Sequence, residues 1–98
     1  MRRLANTDTN QKEIVQRLRQ CGVTVQPLSA VGGGVPDILA GYRGRNILLE
    51  IKSPTAPIKQ TQKDWHANWS GQVAIVYTWK EAMDAIIAHC TAAMKESA

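Results

Sequence analysis

Gly32-Gly33-Gly34-Val35-Pro36-Asp37-Ile38-Leu39-Ala40-Gly41, followed by Asn46-Ile47-Leu48-Leu49-Glu50-Ile51-Lys52-Ser53, is the stretch whose reading decides the fold. It predicts a glycine-rich lead-in, an apolar strand opening at Asp37, a tight connection over Tyr42 to Arg45, and a second apolar strand. Pro36 fixes the chain as it enters the first strand, a position where proline is tolerated. A strand turns alternate side chains to opposite faces, so Asn46, Leu48, Glu50 and Lys52 share one face while Ile47, Leu49 and Ile51 share the other. Glu50 and Lys52 are then neighbours roughly 7 Å apart along the strand.

Two carboxylates and an ammonium among so many apolar neighbours need a reason. If Asp37 and Glu50 approach to about 4 Å in a partly buried site, their repulsion is about 4 kcal/mol at an effective dielectric of about 20. A divalent cation removes that cost, and oxygen ligands of this kind suit Mg²⁺ or Mn²⁺. Spacing alone leaves a second reading level with the first, a hairpin with a Glu–Lys ion pair at its solvent end.

Ninety-eight residues allow one domain with a modest core, and 44% hydrophobic content is that of a globular chain. Twelve basic residues against eight acidic ones leave a net charge of +4, compatible with a polyanionic partner without requiring one. No apolar run is long enough to span a membrane, and no signal-peptide core follows Met1-Arg2-Arg3, so a cytoplasmic protein is expected. Cys21 and Cys90 fall on apolar positions of predicted helices and read as reduced core residues; without a Cys/His cluster a structural zinc is not expected.

Outward from the hairpin, Asn6-Thr7-Asp8-Thr9 supplies candidate caps for a helix to Gln20 that Gly22 ends. Its apolar stripe is Ile14, Val15, Leu18 and Cys21; Glu13 borders that stripe and can pair with Arg17 one turn later. Val23 to Leu28 reads as a short strand broken by Pro27. The three glycines do not form a phosphate loop, because no GK[ST] and no helix follow. After Pro54 and Pro57 a helix is predicted over 60–70, stopped by Gly71, with Gln62, Trp65 and Trp69 on one inward side; both tryptophans are assigned to the core, and an inward amide at Gln62 calls for polar company. Val73 to Tyr77 reads as a strand covered on both faces. Thr78 and Glu81 then form a capping box for a last helix with Met83, Ile86, Ile87, Cys90 and Met94 as its stripe. Residues 1–7 and 95–98 are expected to fray, and Met1 to Asn10 reads as a dimer arm or a disordered segment. The fold class is α/β: one small domain, a central mixed sheet flanked by helices, in the order αβββαβα.

That order, with these residues on these elements, resembles the VRR-NUC family, a branch of the PD-(D/E)XK nuclease superfamily. The resemblance spans Glu13 to about Ile87 and rests on Gly34-Val35-Pro36-Asp37 for the G-V-P-D motif, Glu50-Ile51-Lys52 for E-x-K, Gln62 within the Q-x-x-W-H-like stretch to His66, and Glu13 on the first helix. The length is that of the family's free-standing members. Lys59-Gln60 depart from the usual Ser-Pro helix start, so the cap of the Gln62 helix is expected to be poorer.

The resemblance implies an Mg²⁺- or Mn²⁺-dependent endodeoxyribonuclease. It places Asp37, Glu50, the Ile51 carbonyl and Glu13 on the metal, with Lys52 orienting the attacking water or stabilising charge on the phosphorane and Gln62 positioning Lys52 or a phosphate oxygen. The expected substrate is branched DNA such as a Holliday junction, cut by a homodimer because a four-way junction needs two symmetric cuts. No small-molecule substrate and no membrane partner is expected. With no room in 98 residues for a separate recognition domain, shape rather than sequence is read, with Arg43, Arg45, Lys59 and Lys63 as phosphate-contact candidates. A flap, end-processing or defence nuclease on the same chemistry, and a non-catalytic DNA-binding module, are the alternatives. A nuclease centred on His66 is disfavoured, since no partner histidine sits on a neighbouring hairpin.

Overall fold

A computed structural model describes the backbone of residues 7–97 and the side chains of residues 9–92. The elements are α1 (Thr7–Gln20), β1 (Thr24–Pro27), β2 (Ile38–Tyr42), β3 (Arg45–Ile51), α2 (Gln60–Asn68), β4 (Val73–Val76) and α3 (Trp79–Ser97), in the predicted order. The sheet runs β1-β2-β3-β4, antiparallel across the first two pairs and parallel between β3 and β4, because α2 carries the chain back before β4 begins. Arg43 and Gly44 both take positive φ, +51° and +80°, which closes the β2–β3 hairpin in two residues and pins its register.

That register builds the core and the site together. Ile38 pairs with Leu49 and Ala40 with Ile47, so Ile38, Ala40, Ile47, Leu49 and Ile51 fall on one face with Val76. Ile14, Val15 and Leu18 of α1 and Ala82 and Ile86 of α3 pack on that face. Continued one residue beyond β2, the same register sets Asp37 opposite Glu50. Asp37 itself lies just ahead of the strand, its carbonyl accepting the Leu28 amide at 2.8 Å.

Several local expectations are corrected. α1 already includes residues 7–10, so these are helical and not disordered, and residues 1–6 lie outside the described residues. Its end is a Schellman closure, Val23 N donating to Leu18 O and Gly22 N to Arg19 O with Gly22 at φ +87°. Cys21 falls in that turn, where helical periodicity no longer applies, and is exposed; Cys90 is buried, and both are free. α2 stops at Asn68 and buries no residue: Trp69 is 45% exposed and Trp65 half-buried, the two stacked on each other with centroids 4.6 Å apart. They lie off the core because α1 and α3 cover the opposite face. β4 is an edge strand covered on one face only, leaving Ile75 and Tyr77 exposed. On α3, Ile86 and Cys90 are buried but Ile87 is exposed, while the Met94 side chain lies outside the described residues. Residues 95–97 continue α3. No helix among the described residues is long and apolar enough to cross a membrane.

Candidate active site

At the C-terminal end of β3 the strand face opposite the core carries Glu50 and Lys52, 1% and 5% exposed. The Asp37 carboxylate accepts the Ile51 amide through Oδ2 at 2.7 Å, which ties the entry of β2 to the exit of β3. Gln62, from the first turn of α2, joins the other two: its Oε1 accepts from Lys52 Nζ at 2.8 Å, and its Nε2 donates to Glu50 Oε2 at 3.0 Å. The same Oε1 accepts the Lys59 backbone amide at 3.0 Å. A lysine at the N-cap has no acceptor to offer, and Gln62 fills part of that gap from within the helix.

Burial drives the Glu50 carboxyl up to about 8 from 4.5. Hydrogen bonding with Asp37 and repulsion from its charge push the same way, and the Lys52 charge offsets them in part. Near neutral pH, and with no cation bound, Glu50 therefore holds a proton. His66 faces it, with Nε2 3.5 Å from Glu50 Oε1. Burial first, then the Lys52 charge, lowers the pKa of His66. Glu50 Oε1 and His66 Nε2 are both shielded from solvent without a hydrogen-bond partner.

A solved VRR-NUC domain matches this structure with a TM-score of 0.65, over 87% of this chain and 98% of its own length, at 27% identity. No family model and no curated protein matches. The G-V-P-D and E-x-K segments form one site in a fold of that kind. The chain is similar to the VRR-NUC domains in fold. It is a nuclease-type α/β domain, a fold consistent with DNA binding.

Within this VRR-NUC-like domain, Asp37, Glu50, Lys52 and Gln62 come together and Glu13 does not join them. Glu13 is exposed on α1, lining a shallow depression with Asn10, Tyr77, Thr78, Trp79 and Lys80. Its expected partner Arg17 instead lies over the Trp79 ring, 5.5 Å from the centroid. Ile51 buries its side chain in the core while its amide serves Asp37. Arg43 and Arg45 are exposed at the far end of the hairpin, with Arg43 over the Tyr42 ring. Five residues of β2 separate that end from Asp37, about 16 Å of strand. Lys59 and Lys63 are exposed on the α2 side, Lys59 beside the site itself.

Three contributors lie outside the predicted site residues. Asn10 of α1 donates to both Lys52 O and Tyr77 O, clamping the ends of β3 and β4 at 3.2 and 3.1 Å. Gly34, at φ +86°, lets α2 approach: a Cβ there would run into the Thr61 carbonyl and press on Trp65. His66 follows Gln62 by four residues, and that helical spacing is a signal present in the sequence.

Proposed function

We propose that this VRR-NUC-like domain is a divalent-cation-dependent endonuclease that cuts branched DNA as a dimer. The carrying observation is the buried Glu50 carboxylate, set opposite Asp37 with Oε1 lacking a hydrogen-bond partner. A protonated acid with an orphaned oxygen suits a cation that displaces the proton and takes the oxygen. Among the described residues no three His, Cys, Asp or Glu side chains gather closely enough to enclose an ion. Water and phosphate oxygens then complete the coordination, which is the habit of Mg²⁺ and of Mn²⁺ at nuclease-type sites.

Asp37 and Glu50, with the Ile51 carbonyl, are the chain's oxygen donors to the ion. When bound, the cation supplies a Lewis acid for the scissile phosphate and an acidified water as nucleophile. Lys52, held by Gln62, directs its ammonium to the charge that develops on the phosphate. Gln62 also fixes one Glu50 oxygen, leaving the other free for the ion. Glu13 reaches this centre only through water ligands, given its place on the exposed side of α1. Lys59 and Lys63 contact phosphates near the cut, while Arg43 and Arg45 contact the backbone about 16 Å away along the strand. A basic footprint at both ends of one hairpin favours reading of shape over sequence.

The test is cleavage of a labelled four-way junction, a flap, linear duplex and single strand with Mg²⁺ or Mn²⁺, beside an EDTA control. Paired symmetric nicks in the junction are expected. Cuts confined to the flap or single strand would retain the chemistry and discard the branched-DNA dimer. Absence of cation-dependent cleavage on all four would leave a DNA-binding module.

A further inference from the structure

We propose that the stacked indoles of Trp65 and Trp69 are a platform for an unpaired base of the DNA strand that is cut. The inference rests on the DNA-cutting reading above and names the feature of the substrate that the protein takes up.

The two tryptophans fill no core. α2 buries no residue, and Trp69, which caps its C-terminal end, is 45% exposed. The rings stand 4.6 Å apart between centroids with planes at 20°, so Trp65 supports one face of Trp69 and the stack ends in solvent. Trp65 is steadied from the side by the His66 ring, at 74° with centroids 6.1 Å apart. Gly71 admits the edge of the second indole, since a Cβ there would stand 2.9 Å from Trp69 Nε1. Exposed aromatic surface rimmed by polar groups marks a binding site.

The surroundings suit a base. Beside the rings lies a cavity of about 330 Å³, walled by Gly33, Thr61, Asp64 and Asn68 as well as the two indoles. Asp64 accepts from Gln60 Nε2 through Oδ1, and Asn68 donates from Nδ2 to the Asp64 carbonyl. Asp64 Oδ2 and Asn68 Oδ1 are left as acceptors at the rim, where the pairing edge of an unpaired base brings N–H groups.

Charge and position agree with this occupant. Lys59 and Lys63, exposed on the α2 side, supply cations for the phosphates attached to the base. Basic side chains beside stacked aromatic rings are the means by which proteins hold single strands, and every base has a face to stack. Trp69 follows Gln62 by seven residues, about 10 Å along the helix axis. That is a few nucleotides at about 3.4 Å of rise each, so a base held there sets the strand in place over Glu50 and Lys52.

The test measures binding by the full chain in EDTA, which keeps cation-dependent cleavage out. The probes are a labelled single-stranded oligothymidylate and an abasic strand of equal length. The unchanged protein is expected to bind the first at least about fivefold more tightly, and only the first is expected to quench tryptophan fluorescence. W69A is expected to erase the difference and W69F to keep most of it, while K63A weakens both strands alike. Trp69 stands outside the core, so W69A keeps the fold, checked by circular dichroism. Equal affinity of the unchanged protein for the two strands, or a difference intact in W69A, would overturn the platform and leave the DNA reading standing. Binding of neither strand would also overturn the platform, and failure to bind a four-way junction as well would remove the DNA reading with it.

Discussion

Glu50 on β3 and Lys52, the residue just past its end, are joined through the Gln62 amide and not by a direct ion pair. Lys52 Nζ donates to Gln62 Oε1 at 2.8 Å, and Gln62 Nε2 donates to Glu50 Oε2 at 3.0 Å. One neutral side chain thus separates the ammonium from the carboxylate and keeps both available to a substrate and an ion. An ion pair in the same place would leave Lys52 neutralising Glu50.

Gln62→Ala removes both bonds and leaves the buried Lys52 ammonium without its acceptor. The expected cost is about 1–3 kcal/mol in urea denaturation. Cleavage is expected to fall about 10- to 100-fold, as when a partner that orients a metal ligand is lost. Gln62→Glu, which supplies a charge to Lys52 and repels Glu50, is not expected to restore activity. Recovery in that variant would mean that Gln62 only caps α2.

Glu50 makes the metal-free protein sensitive to pH with a definite sign. Its carboxyl is pushed up to about 8 from 4.5, so between those values the folded protein holds a proton that the unfolded chain has released. The contribution is complete below 4.5 and disappears as pH rises through about 8. Each unit crossed in that interval lowers stability by about 1.4 kcal/mol at most. His66 works in the opposite sense, since its lowered pKa makes stability fall as pH drops below 6.5. Urea denaturation of EDTA-treated protein across this range is expected to show a decline toward high pH that Glu50→Gln removes. An identical profile in the variant would show that Glu50 does not carry the proton.

Asp37 has a structural bond as well as a proposed ligand role, and two substitutions separate them. Asp37→Asn retains an oxygen to accept the Ile51 amide, whereas Asp37→Ala leaves that amide unpaired. Both are expected to abolish cleavage while leaving junction binding largely intact. The alanine variant is expected to be the less stable by about 1–3 kcal/mol. Equal stability in the two would show that the bond to Ile51 adds nothing.

Gly34 permits the approach of α2 rather than the chemistry directly. A side chain there carries the cost of a left-handed φ, about 1–2 kcal/mol, and a collision with the Thr61 carbonyl. Gly34→Ala is expected to lose at least that stability and to displace Gln62 and His66 together, lowering activity. Gly33→Ala is the comparison: it also has positive φ, but nothing lies within 4 Å of its added Cβ. It is expected to lose stability without a comparable loss of cleavage.

The hairpin and its two acids were legible because strand alternation, a two-residue turn and the resulting register are local. Asp37, Glu50 and Lys52 follow from them, and Gln62 follows from the need of an inward amide for polar company. The tryptophans show where such reading stops. Helical spacing says that Gln62, Trp65 and Trp69 share a side, but not that this side faces the sparsely covered face of the sheet instead of the core. Cys21 lies past the end of α1, in the turn that Gly22 closes, where the spacing of the stripe no longer says which way a side chain faces. The clamp by Asn10 depends on a contact across 67 residues, to Tyr77, that no local pattern encodes. His66 stands four residues from Gln62, and its neighbour in space is Glu50 and not a second histidine.

The most direct measurement is single-turnover cleavage by the unchanged protein and by Glu50→Gln, each with Mn²⁺ and each with EDTA. Cleavage that needs the ion and falls at least about a hundredfold in Glu50→Gln is the expected result. Cleavage that survives EDTA, or full activity in Glu50→Gln, would contradict a cation held by Asp37 and Glu50.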